Sequence, residues 1–171
     1  MMTLEKFVRD VPDFPKKGIV FKDLTPLLCD GPAFRETTAA LAQVGGGAAV
    51  DKVVAVEARG FLFGAAVAAA LGVGVVPVRK KGKLPFFCHS VSYDLEYGKD
   101  VLEMHRDALL PGEKVLIVDD VLATGGTCGA VIQLVQKTGA VPVEAVFVIE
   151  LDFLKGREKL SGIPVRSLIH Y

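Results

Sequence analysis

Residues 115–127 read Val-Leu-Ile-Val-Asp-Asp-Val-Leu-Ala-Thr-Gly-Gly-Thr, an order of residue types that suits a phosphorylated sugar. The apolar run 115–118 reads as a buried strand, and it ends in two adjacent carboxylates, Asp119 and Asp120. Successive strand residues point to opposite faces, so each carboxylate can accept from a different hydroxyl of a diol. Ala123, Thr124, Gly125, Gly126 and Thr127 then bring backbone N–H groups to the start of a helix. Glycine allows close approach there, and the helix dipole favours an anion. Thr124 and Thr127 add hydroxyl donors. Diol acceptors beside a phosphate cradle describe a site for ribose 5-phosphate. The segment is not a Walker A loop, because no Gly-Lys-Thr is present, and no G-x-G-x-x-G follows a strand.

Two other segments suit phosphate oxygens. Glu57, Ala58 and Arg59 stand at the end of a second apolar strand, 53–57, which puts them at the same sheet edge as the Asp pair. A turn with free N–H groups and a guanidinium fork suits pyrophosphate, although alone it would equally describe an Arg at a helix start. Arg79, Lys80, Lys81 and Lys83 place four cations within five residues. Such a run is usually a solvated turn. Its place after a core strand, in a chain of zero net charge, favours contact with pyrophosphate.

These residues need a scaffold, and the pattern of the chain supplies one. Apolar strands are predicted at 53–57, 74–79, 115–118 and 143–150, separated by helices at 60–71 and 125–138. Continuous apolar strands alternating with helices indicate an α/β fold: a doubly wound, mostly parallel sheet flanked by helices. Upstream, a helix is predicted over about residues 4–9, then irregular extended chain with several prolines. Another helix starts near Pro32, puts Phe34, Leu41 and Val44 on one face, and ends at the glycines 45–47. Residues 80–113 form an insertion with a hairpin turning at Tyr97-Gly98-Lys99-Asp100, placed to act as an active-site lid. Residues 60–78 carry no charge over 19 positions, long enough to span a membrane. Gly64, Gly72, Gly74 and Pro77 divide the stretch, so helix, turn and strand are predicted instead.

Composition narrows the partners. The 171 residues suit a single domain, 1–171, and 51% hydrophobic with 23% charged residues describes a globular chain. Lys plus Arg equals Asp plus Glu at 20 each, which argues against a nucleic-acid or anionic-membrane binder. Cys29, Cys88 and Cys128 make neither a disulfide framework nor a zinc spacing, and they suit a reducing, cytoplasmic compartment. His89, His105 and His170 have no ligand spacing.

The 115–127 segment closely resembles the motif by which type I phosphoribosyltransferases bind phosphoribosyl pyrophosphate (PRPP). The resemblance extends to residues 12–28, 57–64, 79–85, 93–109 and 154–160, and among these enzymes it is specifically to the adenine phosphoribosyltransferases. It implies purine salvage: adenine and PRPP converted to AMP and pyrophosphate by displacement at the anomeric carbon. Mg²⁺ is implied as cofactor, held mainly by PRPP and water with no direct protein ligand. By resemblance Glu57, Ala58 and Arg59 form the pyrophosphate loop, joined by Arg79, Lys80 and Lys83, some of which serve the neighbouring subunit of a homodimer. Glu96 is the implied catalytic base, acting on the imidazole edge of adenine. Residues 12–28 form a hood over the base, in which Val20, Phe21 and Lys22 face adenine opposite Val121. Lys22 stands where Arg is common and Val121 where Leu is common, and Lys cannot form the planar fork of Arg. The alternatives are an oxopurine phosphoribosyltransferase and a non-catalytic PRPP-sensing regulator.

Overall fold

A computed structural model describes residues 3–45, 49–94, 99–160 and 162–171. Seven strands form one sheet: β3 (Lys52–Val56), β4 (Gly74–Lys80), β5 (Cys88–Asp94), β6 (Lys99–His105), β7 (Lys114–Leu122), β8 (Val141–Glu150) and β9 (Val165–His170). Their spatial order is β5-β6-β4-β3-β7-β8-β9. The five from β4 to β9 are mutually parallel, while the hairpin β5–β6 adds antiparallel to β4. Besides these, β1 (Arg9–Pro12) and β2 (Val20–Asp23) form a separate antiparallel ribbon. The helices are α1 (Thr25–Cys29), α2 (Gly31–Gly45), α3 (Gly60–Leu71) and α4 (Gly126–Lys137).

The apolar strands are covered on both faces, as their composition requires. Val54, Val56, Val115, Ile117 and Phe147 pack with Val131, Leu134 and Val135 of α4. The alternate residues Val53, Leu116, Val118, Val146 and Val148 pack with Leu41 of α2 and Phe63 and Val67 of α3. The period of two along each strand thus divides a single apolar run between two cores.

The uncharged stretch 60–78 is helix, turn and strand: α3 ends at Gly72, whose φ of 71° suits glycine, and β4 follows. Among the described residues no helix is long and apolar enough to cross a membrane. Several details differ from expectation. The first helix is one 3-10 turn, Leu4–Phe7, because Arg9 already pairs with Asp23 in the ribbon. Residues 9–23 are therefore not wholly irregular: their two ends are strands. Helix α1 and strand β9 were not foreseen. The hairpin does not simply project from the core, since Arg79 pairs with Glu103 and Lys80 with Leu102, and Val91, Leu102 and Met104 are buried.

Candidate active site

The sheet order fixes where a ligand can sit. From β3 the chain moves to β4 on one side and later to β7 on the other, so a crevice opens beyond the carboxyl ends of β3 and β7. Strand β3 pairs with β7 only as far as Ala55 with Val118, whereas β7 continues beside β8 to Leu122 and Glu150. Asp119 and Asp120 therefore lie just where β3 has turned away, and Glu57, Ala58 and Arg59 occupy that turn.

One cavity of about 450 Å³ gathers the separated segments. Val20, Phe21 and Lys22 line it from the ribbon, Glu57, Ala58 and Arg59 from the β3 turn, and Asp119, Asp120, Val121, Ala123 and Thr127 from β7 and its loop. Ile19 and Leu151 complete the lining and were not anticipated. A smaller adjoining cavity of about 60 Å³ lies within the loop, bordered by Asp119, Ala123, Thr124, Gly125, Gly126 and Thr127. Gly125 caps α4 with φ of 78°, so glycine there lets the loop turn its amides toward the helix start.

The acid pair is buried and polarised. The Asp120 N–H donates to Asp119 Oδ1 at 2.8 Å. Arg59 Nε lies 2.5 Å from Asp120 Oδ2, but among the described residues that oxygen accepts no aligned hydrogen bond. Burial, then the neighbouring Asp120 charge, pushes the Asp119 carboxyl well above its ordinary range. Two further glycines make room for this arrangement. A Cβ at Gly60 would stand 2.5 Å from Asp119 Oδ1, and one at Gly64 would overlap the side chain of Ala55. Small residues on α3 thus let the helix start close over the acids, a role hidden in a sequence where neither glycine carries chemistry.

The ribbon holds Phe21 at the cavity. Arg9 Nε and Nη2 donate to Asp23 Oδ2 at 3.1 and 2.9 Å, and Asp23 Oδ1 accepts the Thr25 N–H at 2.9 Å. Phe14 meets Phe21 edge-on at 5.2 Å, and the Arg59 guanidinium lies 5.0 Å from the Phe21 ring centre. The Lys22 ammonium is held by Asp10 at 2.7 Å and stands 3.7 Å from the centre of the Tyr171 ring. The Lys22 charge is thus engaged by Asp10 of the ribbon and by the Tyr171 ring.

The basic segment reaches the cavity through Glu57. The Glu57 carboxylate accepts the Lys80 N–H at 2.9 Å, pairs with the Lys83 ammonium, and lies 3.5 Å from Arg79 Nε. Burial alone would raise the Glu57 carboxyl, but Lys83, the Lys80 N–H and Arg79 outweigh it and hold it low. Arg79 Nη1 also donates to Lys83 O at 3.2 Å. The Lys80 ammonium turns instead to Asp100 at 3.2 Å, so it is not brought to Glu57 with the other two cations. Glu96 lies outside the described residues. Its flanking strands are paired up to Asp94 with Lys99, and Tyr93 on β5 meets the Thr127 side chain. Cys128 follows Thr127 into the core, where burial raises its thiol far beyond reactivity at neutral pH.

The chain is similar to known proteins over its whole length. Residues 33–168 match the phosphoribosyl transferase domain family. The adenine phosphoribosyltransferase of Geobacter metallireducens is 56% identical over 171 residues, covering 100% of both chains. That of Roseiflexus sp. (strain RS-1) is 55% identical over 168 residues, covering 98% of both. Among solved structures, the adenine phosphoribosyltransferase of Thermoanaerobacter pseudethanolicus superposes with a TM-score of 0.96 at 53% identity, covering 99% of this chain and 100% of that one. The Saccharomyces cerevisiae enzyme, complexed with an imino-altritol bisphosphate and adenine, gives 0.91 at 44% identity and 96% coverage of both.

Proposed function

We propose how this cavity works from one premise: the chain belongs to the phosphoribosyl transferase family, and within it to the adenine phosphoribosyltransferases. It joins adenine to the ribose 5-phosphate of PRPP, releasing pyrophosphate and forming AMP. The observation that carries the division of labour is the single cavity lined by ribbon, β3 turn and β7 loop together. In this reading residues 123–127 take the 5′-phosphate at the N-terminus of α4. Asp119 and Asp120 accept the two ribose hydroxyls, and their negative charge favours the cationic character that develops at the anomeric carbon. Arg59 and the turn amides of residues 57–59 receive the leaving pyrophosphate, with Lys83 and Arg79 close behind on Glu57. Adenine stacks on Phe21 between Val20 and Val121, and Glu96 takes the proton from its imidazole edge.

Mg²⁺ belongs to this reading as an ion carried mainly by PRPP and water. The residues fit: among the described residues Asp120 Oδ2, ion-paired with Arg59, accepts no aligned hydrogen bond, leaving it able to accept from a hydroxyl or from metal-bound water. When bound, the ion neutralises charge on the leaving pyrophosphate. We place the enzyme in the cytoplasm as a homodimer. The free thiols of Cys29, Cys88 and Cys128 support the first, and the exposed, mutually packed rings of Phe86 and Phe87 support the second. The oxopurine and regulator readings are not favoured, since the relatives above are adenine enzymes. The test is AMP formation from PRPP, Mg²⁺ and each nucleobase supplied separately. Turnover with adenine alone is expected; equal kcat/KM with hypoxanthine or guanine, or PRPP binding without turnover, would overturn it.

A further inference from the structure

The chain after β8 touches the large cavity only through Leu151, yet it backs the phosphate loop directly. It makes two 3-10 turns, Asp152–Leu154 and Gly156–Lys159, joined at Lys155 in a left-handed conformation with φ of 52°. Gly156 is buried against the loop with no side chain between the two backbones. A Cβ at Gly156 would overlap Ala123 O and stand 2.9 Å from Gly125 N; one at Gly125 would overlap Gly156 O. Each glycine thus exists in the space the other leaves, and any side chain at position 156 must lift the loop or displace the turn.

The turn is itself fastened from behind. Arg157 forks onto Glu150, Nε to Oε1 at 3.0 Å and Nη2 to Oε2 at 2.6 Å, while Nη1 donates to Val165 O at 2.8 Å. Ser167 Oγ adds a bond to Glu150 Oε2 at 2.7 Å. Glu150 is buried and sits opposite Leu122 in the β7–β8 register, one residue before the loop begins. The Leu151 N–H also donates to Leu122 O at 2.9 Å. A planar, bidentate pair fixes orientation as well as distance. The fork therefore references the turn to the end of β8, the strand paired with the one that launches the loop, and Leu160, buried in the α4 core, pins its far end.

We propose that Gly156, held by the Arg157–Glu150 pair, is a positioning residue for the phosphate loop: it sets the height of the 123–125 backbone and so the affinity for the 5′-phosphate. The atoms nearest a Cβ at Gly156 belong to residues 123 and 125, not to the pyrophosphate turn at residues 57–59. This rests on the reading of residues 123–127 as the 5′-phosphate cradle.

Titration calorimetry on the full chain tests it, with AMP as probe of the cradle and magnesium pyrophosphate as probe of the other end. Gly156→Ala is expected to weaken AMP about tenfold or more, the value of one displaced charge-assisted hydrogen bond. Pyrophosphate affinity stays within about twofold, the spread of ordinary context effects on one contact. Arg157→Gln, which leaves Gly156 in place, weakens AMP less but with the same selectivity. Wild-type AMP affinity in folded Gly156→Ala, or equal losses for both probes, overturns the inference. Should Gly156→Ala fail to fold, Arg157→Gln is judged by the same two outcomes. Thr127→Ala separates the two levels of reading. Unchanged AMP affinity there defeats the cradle assignment itself, whereas a loss there beside an unaffected Gly156→Ala defeats only the positioning role.

Discussion

Asp119→Asn is expected to weaken PRPP binding while making the protein more stable. Asp119 is 8% exposed, and the hydrogen bond it accepts from the Asp120 N–H at 2.8 Å an Asn oxygen can also accept. Burial and the Asp120 carboxylate hold its carboxyl well above the ordinary Asp value, against a smaller pull from Arg59. A carboxyl raised by folding binds its proton more tightly in the native than in the unfolded chain. Stability is therefore lost as pH rises from the unfolded pKa, about 4, through the folded one. Above that window the native protein carries a buried carboxylate at a cost, and Asn removes it. Relief of a functional residue of this kind is typically worth about 0.5–2 kcal/mol. In a chain of this length each kcal/mol moves Tm by about 2–4 °C. The gain should be present at pH 8 and shrink as pH falls toward about 4. Against it, a ribose hydroxyl loses a charged acceptor, about 1.5–3 kcal/mol, or roughly 10- to 150-fold in Kd. Thermal denaturation across that pH range and calorimetric titration with PRPP and Mg²⁺ measure both. A Tm at pH 8 equal to or below wild type would refute the electrostatic account of the acid pair, and unchanged PRPP affinity would refute its role on ribose.

Glu96→Gln should lower kcat by about 10²–10⁴-fold with PRPP affinity preserved, because shape is kept and a proton acceptor is lost; wild-type kcat would remove Glu96 from the mechanism. Lys83→Ala should raise the PRPP KM and flatten its dependence on salt, with the adenine KM nearly unchanged, since its ammonium stands on Glu57 at the pyrophosphate turn. Initial rates at two ionic strengths decide this, and an unaltered PRPP KM would return the basic segment to a solvated turn. Phe21→Ala should raise the adenine KM by about 5- to 150-fold, the usual worth of about 1–3 kcal/mol for an aromatic stack on a base. A change confined to the PRPP KM would show that the ring serves another group.

The parallel core was legible because β3, β7 and β8 are continuous apolar runs, buried on both faces, and such runs have few other uses. The acid pair and its glycine loop were legible because strand, carboxylates, glycines and helix start stand consecutively in the sequence. Segments whose roles depend on distant partners were harder to read. Ile19 and Leu151 are ordinary apolar residues until the ribbon and the end of β8 converge on the cavity. Gly60 and Gly156 look like turn glycines, and only the approach of Asp119 and of the loop backbone shows why a Cβ is excluded. Strand β9 was missed because its burial alternates unevenly over six residues with a Ser and two charged or titratable side chains, Arg166 and His170. The basic segment suggested an anion site through its place after a core strand in a chain of zero net charge, not through composition alone. That Arg79 and Lys83 attach to Glu57 follows from the β3–β4 pairing, which sets Val56 beside Val78, and that Lys80 turns to Asp100 follows from the β4–β6 pairing.

The most direct test of the central claim is a crystal structure of this chain with AMP and magnesium pyrophosphate. One cavity should hold all the parts: adenine on Phe21, ribose hydroxyls on Asp119 and Asp120, the 5′-phosphate on the amides of residues 123–127, and pyrophosphate at Arg59. A nucleotide bound with its phosphate at residues 57–59, or with its base away from Phe21, would contradict the account.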